Sequence, residues 1–365
     1  MSPSDAHASP RIEQFARWTA VVAGLAAFGL ICIEPGDFSI AYRFVVFVAM
    51  APAVGCLIFT LIHRLTGGEW AEGLRPFLWA GVSLLPWIWL FALPILFLPY
   101  GLNHLARETT STAKGYEGLP MVAVRSAVYA AIFFWLRWAV SPAEGTNRLP
   151  VRDPRPWAGP VGLLLLVFTL TLLGDDWIAS LDPGWHSTGF ALVWMTGQAV
   201  AGLSLALLAS LACGAQADSL GKADQPRGID WGNLMLATLL AWCYVAFAQF
   251  LIIWAGNLPA EISWFTHRSQ GVWSAVPLFL AVFTFLLPFG LLLSRKFKAR
   301  AAGLAAVAGL LLLGQGIYTA WLILPAAGRL SSAGCFLVIV LLAAGGGAFV
   351  ERYLAAVRRL GRPSA

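Results

Sequence analysis

The stretch Ala158–Ile178, AGPVGLLLLVFTLTLLGDDWI, decides the fold. Its interior, Gly162–Leu173, carries no charge. As an α-helix rising 1.5 Å per residue, the whole stretch is about 30 Å long, the thickness of a bilayer's hydrocarbon layer. A strand of a soluble sheet needs no such length, and a soluble helix would show a polar face. Asp175, Asp176 and Trp177 end the run, as acidic and indole side chains do where lipid gives way to water.

The same pattern recurs on both sides. Apolar segments of comparable length occupy about 17–34, 41–62, 77–98, 119–140, 187–213, 231–255, 271–293, 301–324 and 333–355. The expected fold is therefore an all-α, polytopic membrane helical bundle of about ten transmembrane helices. Composition agrees. The 365 residues are 59% hydrophobic and 12% charged, about half the charged share of a soluble domain. Seventeen tryptophans suit a protein with many membrane interfaces. The formal charge of +6 does not point to nucleic acid, because the basic residues lie between apolar runs and not in one patch. The partner they imply is the lipid bilayer.

Lysine and arginine also set the orientation. The N-terminus and alternate loops hold seventeen of them, including Arg64, Arg75, Arg155, Arg295, Lys296, Lys298 and Arg300. The loops of the other side hold Arg107, Lys114, Arg268 and Arg329. The richer side is expected in the cytoplasm, which puts both termini there (N-in, C-in). Residues 1–17 read as a cytoplasmic tail, 18–355 as the transmembrane domain and 356–365 as a second cytoplasmic tail. Trp18–Ile33 is followed by Glu34-Pro35-Gly36-Asp37 and not by small residues, so it reads as an uncleaved first span. The longest loops, about 99–118, 141–157 and 214–230, are too short to fold alone.

Cofactor ligands are scarce. Cys32, Cys56, Cys213, Cys243 and Cys335 fall inside apolar segments without C-x-x-C spacing, so neither covalent haem nor a cysteine-ligated iron–sulfur cluster is expected. His7, His63, His104, His186 and His267 lie in loops or at helix ends, where they cannot sandwich a mid-membrane haem, and no metal is expected.

Polar groups within spans are the informative ones, because they usually face a bundle interior or a cavity. Arg125 lies about two turns below the outer surface of the fourth span. Gln198 is near the middle of the sixth, Gln249 is in the outer part of the seventh, and Gln315 and Tyr318 share the outer half of the ninth. Asp175 and Asp176 close the fifth, and either could supply the countercharge that Arg125 requires. Two readings stand side by side: these residues cement helix contacts, or they line a quinol or proton site.

Two outer stretches carry a pattern. Asp175–Thr188 reads DDWIASLDPGWHST, and Tyr244–Phe265 reads YVAFAQFLIIWAGNLPAEISWF. Asp182-Pro183 forms a turn, Ser187 or Thr188 can cap the next helix, and Asn257-Leu258-Pro259 ends the seventh. The two stretches, within roughly 175–293, resemble the ActF-type membrane subunit of alternative complex III, the bacterial quinol:cytochrome c oxidoreductase. That subunit is related to the polysulfide-reductase-type membrane anchors. The resemblance implies a subunit of the bacterial inner membrane and not a complete enzyme. Haem and iron–sulfur clusters then sit on cytochrome c and iron–sulfur partner subunits, and a second multi-span subunit stands alongside. It implies quinone or quinol as the ligand and proton translocation as an associated task. It draws attention to Asp182, His186, Gln249, Asn257 and Glu261, without assigning a catalytic role to any of them. Two other readings compete. One is a secondary transporter of five plus five inverted helices, with Pro86, Pro94, Pro277 and Pro288 interrupting corresponding spans. The other is a purely structural anchor.

Overall fold

A computed structural model describes residues 35–97, 119–142, 155–182, 185, 187–213, 227–328 and 331–361. Among the described residues there is no strand, and nine helices are long and apolar enough to cross a membrane. The expected spans from 41–62 onward all appear. The first expected span, 17–34, the tail before it and most of the three longest loops lie outside the described residues.

In chain order the helices are α1 (Pro35–Thr66), α2 (Arg75–Ser83), α3 (Leu85–Ala92), α4 (Leu119–Ala139), α5 (Ala158–Trp177), α6 (Phe190–Ala212) and α7 (Arg227–Gly256). They continue as α8 (Pro259–His267), α9 (Val276–Phe279), α10 (Leu287–Leu293), α11 (Arg295–Lys298), α12 (Ala301–Ile323) and α13 (Ser332–Gly361). Several run past the apolar segments that announce them. α1 has 32 residues, with Asp37 in its first turn and Arg64 in its last, charges placed to complement the helix dipole.

Two spans are interrupted where proline falls. Pro86 opens α3 after a break at Leu84, and Pro94 tightens Leu93–Leu96 into a 3₁₀ turn. Between α9 and α10 the chain widens into a π-helix over Leu280–Leu286, flanked by Pro277 and Pro288. Proline removes an amide donor and crowds the preceding turn, and the altered helix types accommodate that loss.

α1 and α6 form the axis of the bundle, with 78% of each apolar window buried. They pack most extensively on each other, and glycine explains the closeness. A Cβ on Gly55 would run into the Gln198 carbonyl oxygen, and one on Gly202 into the Gly55 backbone. Cys56 donates its thiol to the Gly202 carbonyl at the same crossing. Without water to drive association, close backbone approach of this kind supplies much of the contact between helices in lipid. α7, the 271–293 span and α13 lie at the other extreme, with 17%, 22% and 17% of their apolar windows buried, so they present most of their apolar side chains outward.

The two ends of the bundle differ chemically. At one end Arg64 donates to the carbonyls of Ala139 and Val140, and Arg155 to those of Trp138 and Ala139, at the C-terminus of α4. Lys298, itself buried, donates to Asn233. At the opposite end lie Asp37, Asp176 and Asp182, and every candidate site residue that the structure describes lies toward this end.

Candidate functional site

Two polar assemblies stand at the acidic end. In the first, Arg125 on α4 donates from Nε (2.9 Å) and Nη2 (2.6 Å) to the two oxygens of Asp176 on α5. Tyr129, one turn beyond Arg125, donates its hydroxyl to the same carboxylate at 2.7 Å. Ser126 accepts from the Trp177 indole at 3.1 Å, and Arg43 of α1, 1% exposed, donates to the Trp177 carbonyl at 3.2 Å. The countercharge sought for Arg125 is therefore Asp176, held in a two-pronged pair that fits guanidinium to carboxylate. Asp175 is exposed.

The second assembly is built where the two patterned stretches meet. The chain reaches it through a short turn. Asn257 sits at φ 47°, the left-handed conformation asparagine tolerates, and its amide closes α7 onto the Ile253 carbonyl. Leu258 is extended, as a residue before proline must be, and Pro259 opens α8. On this nine-residue helix Glu261, Trp264 and Arg268 recur at the spacing of one helical face, Arg268 being the residue that ends it.

That face meets Asp182 and Trp185. The Trp185 and Trp264 rings stack with centroids 4.1 Å apart and 19° between planes, and Phe190 packs edge-on to both. The Trp185 indole donates to the Glu261 carbonyl at 3.0 Å. The Arg268 guanidinium lies 3.2 Å from the Trp264 ring centroid. It donates to the carbonyls of Trp264 and Leu322 and to Asp182 Oδ2 at 3.4 Å. The same oxygen bonds His267 Nδ1 at 3.0 Å. Arg268 is 2% exposed, and burial pushes its pKa down to about 10 while the Asp182 carboxylate works in the opposite direction. It stays cationic at neutral pH. The His267 side chain is 58% exposed, so a buried carboxylate is joined to the surface by an imidazole that can carry a proton between them.

The remaining candidates are distributed around this core. Gln249 on α7 donates to Ser187 Oγ at 3.0 Å. Ser187 thus serves a tertiary contact and does not cap α6, which starts after Gly189 with no side-chain cap at all, so the cap expected from Ser187 or Thr188 is not made. Asn257 is exposed and shapes the turn, and Glu261 contributes its backbone carbonyl. Gln315 and Tyr318 lie on α12, beneath Arg268 and against α6 and α7; Tyr318 packs edge-on to Trp242 at 5.6 Å. His186 lies outside the described residues. The structure thus separates Arg125, paired between α4 and α5, from Gln249 at the loop and from Gln315 and Tyr318 in the interior.

Four participants were not singled out from sequence: Tyr129, Arg43, His267 as a carboxylate partner, and Arg268. Tyr129 was readable, since it stands four residues after Arg125 and so shares its face. Arg268 and His267 would have emerged from reading Pro259 as the start of a helix, which aligns Glu261, Trp264 and Arg268. No family model matches the chain, and the search of curated proteins returned no similar sequence.

Proposed function

We propose that this protein is an integral membrane subunit of a respiratory quinol-oxidising complex, of the kind alternative complex III represents, and that its Asp182 assembly handles quinol or the protons quinol releases. What supports this reading is the meeting of the two patterned stretches. Trp185 of the first is bonded and stacked onto Glu261 and Trp264 of the second, and Asp182 bonds His267 and Arg268, which follow the second directly. Quinol oxidation sheds protons, and a carboxylate linked through an imidazole to the surface suits their removal. In this reading haem, iron–sulfur clusters and the cytochrome c contact belong to partner subunits, and α7, the 271–293 span and α13 offer the outward apolar faces on which a second multi-span subunit sits in the bacterial inner membrane.

The transporter reading draws on the two interrupted spans, but the acidic side chains among the described residues lie toward the bundle ends, leaving no carboxylate at mid-depth to hold a coupling ion. The test is quinol-dependent cytochrome c reduction by the assembled complex carrying Asp182→Asn or His267→Gln, with assembly verified first. Slowed turnover with intact assembly is expected. Normal rates and normal proton release in both variants would leave a structural anchor, and solute uptake by the isolated chain in proteoliposomes would favour the transporter.

A further inference from the structure

On α6, α7, the π-helix and α12 lie buried hydrogen-bonding atoms that have no partner among the described residues. Both side-chain polar atoms of Gln198 lack a partner, although the residue is 1% exposed. The same holds for Gln315 Nε2, Trp242 Nε1 and Thr284 Oγ1, on residues 4%, 4% and 0% exposed. Two of these groups meet at one point of α6. A Cβ on Gly197 would lie 2.7 Å from Gln315 Oε1 and 3.3 Å from Trp242 Nε1, so the side chains of α7 and α12 converge there. Gly314, next to Gln315, sits directly against Thr284 Oγ1.

Leaving such a group dry forfeits its hydration with no bond in return, and several together would disfavour this packing of a helix bundle. Apolar side chains of similar shape would avoid that cost. A buried water answers such groups, typically making about three hydrogen bonds to otherwise unsatisfied atoms. The π-helix is the second sign. Its wide turn carries Thr284 toward α12, and single π turns inside α-helices recur at functional sites.

We propose that this region holds a buried hydration site: ordered water bridges Trp242 and Gln315 beside Gly197, with Thr284 against the neighbouring Gly314. The site stands whether or not the chain handles quinol.

Radiolytic hydroxyl labelling of the full chain in lipid nanodiscs, read by mass spectrometry, tests it, because radicals made from bound water label the side chains that touch it. The internal controls are Trp185 and Trp231, each 1% exposed and each with its indole N–H bonded to a backbone carbonyl. Trp242 is expected to label on the order of fivefold faster than either control, since only it faces bound water. Gln315→Leu should reduce that ratio toward one. Equal labelling of Trp242 and the controls in the unmodified protein overturns the proposal, and this comparison decides the matter even if the variant fails to fold. A higher melting temperature in Gln315→Leu, with Trp242 labelling unchanged, overturns it as well, because that is how a dry, unsatisfied amide behaves.

Discussion

Removing Asp176 should damage this protein far more than removing its partner Arg125. The carboxylate accepts two bonds from Arg125 and a third from Tyr129, and the two charged side chains are 9% and 14% exposed. Asp176→Ala takes the anion from a guanidinium in the outer half of a membrane span. Arginine has no neutral form at accessible pH, so the cost is that of breaking a buried pair, roughly 3–5 kcal/mol. Arg125→Met leaves a carboxyl that keeps the Tyr129 hydroxyl and can take up a proton, so its cost should be about half as large, near 2 kcal/mol. The double variant, Arg125→Met with Asp176→Ala, removes both charges of the pair and should fall within about 1 kcal/mol of the parent, as apolar replacements of buried pairs often do. The assay is a double-mutant cycle on thermal unfolding in mild detergent, followed by size-exclusion chromatography of a fluorescent fusion. Asp176→Ala should lower the midpoint on the order of 10 °C, and the double variant should recover most of it. Equal losses in the two single variants, with a double loss equal to their sum, would refute the pairing.

Gly202→Ala should destabilise by about 1–3 kcal/mol, because its methyl would press on the Gly55 backbone at the α1–α6 crossing. Gly316→Ala, in open space on α12, should be neutral or stabilising by roughly 0.5–1 kcal/mol in the same unfolding assay. A topology reporter inserted near Gly184 should report the outer compartment, and one within 214–230 the cytoplasm; the reverse result inverts the orientation drawn from arginine and lysine. Mild extraction should recover a cytochrome c-containing partner and a second multi-span subunit, whereas a homogeneous homomer would count against the proposed assembly.

The spans were legible because lipid imposes a simple rule, about twenty apolar residues per crossing, and Gly162–Leu173 or Leu304–Leu313 meets it without ambiguity. Helix ends were less legible. Beyond the hydrocarbon, hydropathy no longer constrains the chain, so α1 begins at Pro35 and α13 continues to Gly361 on the strength of helix propensity, terminal charges and tertiary contacts. The pairing of Arg125 with one of two aspartates was foreseeable; the choice of Asp176 was not. Adjacent residues on a helix point about 100° apart, and only the packing of α4 on α5 decides which one faces inward. Arg268 was hidden for a different reason. It sits in a loop by hydropathy, where an arginine is usually solvated, and its burial depends on α8 folding back over Asp182 and Leu322.

The two ends of the bundle hold their cations by different means, and this bears on where chemistry can occur. At the arginine-rich end, Arg64 and Arg155 rest on carbonyls at the C-terminus of α4, where the helix dipole already favours positive charge. Contacts to carbonyls suit the anchoring of a cation at a membrane face. At the acidic end, Arg125 and Arg268 are held by Asp176 and Asp182. Of these two carboxylates, Asp176 is closed in by Arg125 and Tyr129, whereas Asp182 is shared with an imidazole that reaches the surface. If proton release runs through Asp182, His267→Gln should slow turnover of the assembled complex while leaving its thermal midpoint within about 1 °C, because the substitution touches a mostly exposed side chain. Asp176→Asn should do the opposite, lowering the midpoint and leaving the rate per assembled complex unchanged. Finding the rate loss in Asp176→Asn instead would move the proton path to the Arg125 assembly.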